Sequence, residues 1–82
     1  MIGDRQFSHY AVEIIAGPAH DTVLVDCTYY DWHGEVLGKY GETMISFACT
    51  WRDVATVLRS GLAKIGYDAD PVKHVSPMVD LT

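Results

Sequence analysis

From Phe7 to Ala16 the chain alternates. The even positions Tyr10, Val12, Ile14 and Ala16 are uniformly apolar, whereas the odd positions Phe7, His9, Ala11, Glu13 and Ile15 are mixed. Period two predicts a strand whose even face meets the core. Gly17-Pro18-Ala19-His20-Asp21 then reads as a turn. Thr22–Trp32 is rich in β-branched and aromatic residues and predicts a second strand. Val23, Val25, Cys27 and Tyr29 form its apolar face, and Thr22, Leu24, Asp26, Thr28, Tyr30 and Trp32 the other.

A tight turn at His33-Gly34 closes a hairpin, with Gly supplying a positive φ. A two-residue hairpin there pairs Cys27 with Tyr40 and Tyr29 with Gly38. The third strand, Glu35–Cys49, carries a conflict of parity. Its core face is even-numbered up to Tyr40, yet its most apolar later set is Ile45, Phe47 and Cys49, which is odd. A bulge near Gly41-Glu42 reconciles the two and makes one long bent strand. The alternative is a second turn at that point and two separate strands.

Thr50–Tyr67 is the only stretch with a helical period. Trp51, Val54, Ala55, Leu58, Leu62 and Ile65 make one apolar stripe. Thr50 suits the N-cap, Asp53 completes a capping box, and Gly66 suits the left-handed position that ends a helix. Gly61 costs about 1 kcal/mol of helix propensity relative to Ala, which points to close approach to the sheet. Pro71 prevents continuation, and Val72–Leu81 reads as a last extended piece that Pro77 confines to an edge or an irregular arm.

The expected fold is therefore α+β over one domain, residues 1–82. A three- to four-stranded antiparallel sheet carries one amphipathic helix on one face, in β-β-β-α-β order. The uncovered face is the functionally informative part. Its expected members include Phe7, Ile15, Leu24, Tyr30, Trp32, Leu37 and Met44. That set is too apolar for the wet face of a monomer, since large exposed apolar patches mark interfaces. With His33 at the adjoining turn, these eight residues are the expected partner-binding surface. Tyr29–His33 is the densest polar-aromatic cluster beside it.

Composition is that of a globular protein, 49% hydrophobic and 21% charged. At 82 residues the core is small, and oligomerisation is a common supplement. The net charge of −5 is unevenly placed: −5 over residues 1–50, +2 over 51–67 and −2 over 68–82. An acidic sheet and a sparsely basic helix argue against nucleic-acid binding, which needs a basic footprint. Apolar runs are too short for a transmembrane helix, and the first ten residues lack the basic and apolar regions of a signal peptide. No membrane contact and a cytoplasmic location are expected. Cys27 and Cys49 lie in strand-like runs without CxxC spacing; buried free thiols are the default, and a bridge between neighbouring strands stays open.

Chemical motifs are missing. His9, His20, His33 and His74 stand at no metal-ligand spacing, so no metal and no cofactor are expected. No phosphate loop or nucleophile elbow occurs, and Cys27 falls on the core face, where a nucleophile is inaccessible. The sequence thus leads to a small acidic non-enzymatic protein-binding module. Its simplest partner is a second copy through the uncovered face, and otherwise another protein. A homodimeric bacterial or phage accessory protein, one that inhibits a host enzyme for instance, fits this profile. The competing expectation is a ligand-binding or catalytic subunit with a pocket lined by Tyr10, Tyr29, Tyr40 and His33.

Overall fold

A computed structural model of the protein describes residues 6–74. Three ten-residue strands, β1 (Phe7–Ala16), β2 (Thr22–Asp31) and β3 (Val36–Ile45), lie in the order β1-β2-β3, each antiparallel to the next. A short 3-10 turn at Ser46–Ala48 leads into the helix α1 (Trp51–Lys64), and a second at Pro71–His74 follows it. The architecture is α+β in β-β-β-α order. The extended piece expected after the helix begins instead as the Pro71–His74 turn, and residues 75–81 lie outside the described residues.

The central strand is the best sealed. Val25, Cys27 and Tyr29 are fully buried on its inner face, against Val54, Leu58 and Leu62 of α1. The alternation expected from sequence holds for β1 and β2: Tyr10 pairs with Tyr29, Val12 with Cys27 and Ile14 with Val25. The helix is built as its sequence specifies. Thr50 accepts from the Asp53 N–H at 3.3 Å while Asp53 Oδ2 accepts from the Thr50 N–H at 3.1 Å, a complete capping box. At the other end Tyr67 donates to the Leu62 carbonyl and Gly66, at φ 94°, to that of Ala63. These two bonds form the Schellman closure.

Gly61 sits where the helix comes closest to the sheet. A Cβ there would run into the Tyr29 hydroxyl and stand 2.7 Å from the Tyr40 Cβ. The propensity lost at Gly61 is thus exchanged for interlayer contact. The Tyr29 hydroxyl donates to the Leu58 carbonyl at 2.7 Å and fixes the same approach.

The hairpin between β2 and β3 differs in detail from the two-residue turn. Asp31 N–H donates to the Glu35 carbonyl, so Trp32, His33 and Gly34 form a three-residue loop, with Gly34 at φ 80°. The extra residue is absorbed by a register shift between Tyr29↔Gly38 and Tyr30↔Val36. Cys27 therefore still meets Tyr40, as the two-residue turn requires.

Two parity assignments are corrected. The bulge lies at Leu37, not at Gly41-Glu42, and pairing from Gly38 to Ile45 is unbroken. Glu42 and Met44 consequently take the inner face. There Glu42 accepts a hydrogen bond from the Tyr40 hydroxyl at 2.6 Å. A second register shift, between Phe7 and His9, turns Phe7 inward. There its ring meets Tyr29 edge-on, 6.2 Å between centroids.

Candidate binding surface

Outside the sheet, the paired rows run Ile15–Leu24–Thr43, Glu13–Asp26–Gly41 and Ala11–Thr28–Lys39, with His9 beside Tyr30. Of the eight residues expected on this surface, Ile15, Leu24, Tyr30, Trp32 and His33 lie on the outer face or in its turn. Phe7 is buried, and Leu37 and Met44 pack against the core. These three are corrections, caused by the bulges at Ser8 and Leu37 and by the absence of one at Gly41.

The same corrections bring out residues assigned to the core. Ile45 is 50% exposed and Phe47 84% exposed. An apolar alternation that reads as buried is instead turned to water. Ile45 pairs with Thr22 at the end of the sheet where Leu24 pairs with Ile15, which is 47% exposed. No local signal in the sequence marks this. Continuity of pairing across Gly41 decides it for Ile45, and Phe47 lies beyond the strand in the Ser46–Ala48 turn.

The expected surface therefore divides in two. At the turn end, the Tyr30 ring stacks on His9 at 4.9 Å, and Trp32 stands 70% exposed. Beneath Trp32, Asp31 is buried and its Oδ1 accepts from the N–H groups of His33 and Glu35 at 2.8 and 2.9 Å. A buried carboxylate that staples the loop gives Trp32 and His33 a fixed presentation. About 20 Å away along β2, Ile15, Leu24 and Ile45 share the outer face at one corner, and the exposed Phe47 follows in the Ser46–Ala48 turn. Between them Glu13 faces Asp26 across the outer face, two like charges in direct opposition.

Burial pushes the Cys27 thiol up to about 11, so it stays protonated and unreactive near neutrality. Burial also raises the Cys49 thiol, and the two cysteines are not bridged. Tyr29 is occupied by Leu58 and Tyr40 by Glu42, while His33 lies exposed in the hairpin loop. Of the four groups of the pocket expectation, Tyr10, Tyr29 and Tyr40 share the inner face, and His33 stands apart in the loop. Among the described residues no group of three or more His, Cys, Asp or Glu is placed to hold a metal ion. Among them, too, no helix is long and apolar enough to cross a membrane. Comparison with known proteins leaves the geometry to speak alone: no family model, no curated protein and no solved structure matches the chain.

Proposed function

We propose that this protein is a non-enzymatic binding module that acts by protein–protein contact through the outer face of its sheet. The observation that carries this reading is the corner at Ile45 and Phe47. An isoleucine 50% exposed on the same face as Ile15 and Leu24, followed two residues on by a phenylalanine 84% exposed, leaves apolar area in water that a partner would remove. Trp32 adds an aromatic anchor at the far end of the face, on a stapled loop, and tryptophan is enriched among residues that dominate binding energy. The Glu13–Asp26 pair between the two ends adds chemical definition. It favours a partner that brings a lysine or arginine flanked by apolar side chains, because a cation there relieves the mutual repulsion. A protein that covers a site on another protein, a host enzyme for instance, needs no catalytic group of its own.

Capture experiments with matched variants test this reading. Phe47→Asp and Trp32→Asp alter exposed side chains and leave the fold intact by circular dichroism. Wild-type protein is expected to retain a partner from extracts of the native host that Phe47→Asp does not retain, with Trp32→Asp intermediate. Identical capture by all three proteins would sink the proposal.

A further inference from the structure

One row of the outer face runs against the chemistry of a stable sheet. It places Glu13 of β1, Asp26 of β2 and Gly41 of β3 side by side. Two carboxylates in direct opposition destabilise a strand pair, and a glycine inside a strand weakens it and packs nothing. The carboxylates are not compensated. Among the described residues neither side chain has a hydrogen bond or an ion pair, even with Lys39 in the next row. Nor does the fold require glycine at position 41. Gly34 and Gly66 take a positive φ, and Gly41 does not. At Gly38 and Gly61 a Cβ would stand only 2.9 Å from Ile65 and 2.7 Å from Tyr40. At Gly41 the nearest atoms to that point are Leu24 Cδ1 and the Val25 carbonyl oxygen, both at 3.3 Å, and the position is exposed. Asp26 Oδ1 comes next at 3.7 Å. The missing side chain leaves a gap on the exposed face, bounded by the Leu24 side chain and an unpaired carboxylate.

We infer, resting on the outer-face reading, that this row seats a lysine or arginine side chain of the protein that covers the face. Both side chains combine a long apolar stem with a charged head, and the row offers a place for each part. The stem lies along Leu24, which pairs with Ile15 in the apolar row next to the acidic one. The gap over Gly41 lets the head come down beside Asp26, with Glu13 adjoining on the next strand. Two carboxylates that repel each other in the free protein are both stabilised by one cation, so the gain exists only in the complex and selects a basic partner. Local choices made against stability, with no compensating contact, are characteristic of functional positions. A second copy laid face to face would bring its own acidic row and does not meet this requirement.

The probe is a short end-blocked peptide with one lysine between two leucines, titrated into the isotopically labelled full chain. Binding is followed by the amide NMR signals of Leu24, Asp26 and Gly41. Control peptides carry norleucine or glutamate in place of the lysine. The lysine peptide is expected to bind about fivefold more tightly than the norleucine peptide, the sum of two exposed charge pairs, and the glutamate peptide most weakly. Glu13→Gln combined with Asp26→Asn should erase that preference, and Gly41→Ala, which starts to fill the gap, should reduce it. Both variants are expected to keep or raise the urea midpoint, because each removes a feature the fold does not need. A norleucine peptide that binds as tightly as the lysine peptide, with both weakened by Phe47→Asp, overturns the cationic seat and leaves the outer-face reading standing. If the lysine peptide moves none of the three signals the seat is also overturned, and the outer-face reading is then decided separately by the Phe47→Asp capture. A lowered urea midpoint in either variant overturns the seat as well, since the row would then serve the fold.

Discussion

The two halves of β3 share one strand and have opposite fates. From Leu37 to Tyr40 the strand is sealed. Gly38 lies so close to Ile65 that a Cβ would stand 2.9 Å from its Cγ2, Tyr40 sits against Gly61, and the hairpin above is stapled by Asp31. At Ile45 the strand ends and the chain passes into the Ser46–Ala48 turn, and there Ile45 and Phe47 face water. The sealed half satisfies its own polar groups and fills its own space. The open end carries two apolar side chains that the described residues leave half or more exposed. One half contributes to stability through its packing, and the other is where the proposed partner would sit.

Substitutions separate the two halves. The largest loss is expected for Asp31→Ala, which leaves two loop N–H groups without their carboxylate. Bonds to a charged acceptor contribute about 1.5–3 kcal/mol each, so a loss of about 3 kcal/mol should appear in urea unfolding, and Asp31→Asn should lose less. Gly61→Ala comes next. The helix would gain about 1 kcal/mol of propensity, but overpacking against Tyr29 and Tyr40 costs about 3 kcal/mol, for a net loss of about 2 kcal/mol. A thermal melt showing stabilisation instead would mean that the layers part easily. Thr50→Ala removes half of the capping box and should cost about 1 kcal/mol. The smallest stability effect belongs to the open corner. Ile45→Thr with Phe47→Ser should shift unfolding by no more than about 0.5 kcal/mol while reducing binding of a hydrophobic dye to the native protein. A large destabilisation by that pair would place the corner in the core and erase the contrast.

Much of the fold is legible residue by residue. Thr50, Asp53 and Gly66 specify the ends of α1, and each forms the contact its chemistry predicts. The even face of β1 and the odd face of β2 meet as written, and the hairpin places Cys27 against Tyr40 even though its loop is a residue longer. These features are local or strictly periodic, so nearby residues suffice to define them. Val57 shows the first departure: it is buried beside the expected stripe, and the Pro71–His74 turn that packs on α1 comes from outside the helical pattern.

The candidate surface is only partly legible in the sequence, for a physical reason. A single bulge reverses every side chain beyond it, and bulges leave weak marks. Gly41 and Gly38 looked alike as interruptions, yet the shift falls beside Gly38, and Gly41 passes straight through the ladder. Ser8 gave no warning that Phe7 turns inward. Periodicity determined which residues travel together on a face, and capping chemistry determined where the helix begins and ends. Only the tertiary structure decided which way Phe7, Leu37, Met44 and Ile45 point, because that depends on how many residues each strand places between two fixed pairs. It is a property of the ladder as a whole, and no side chain carries it alone.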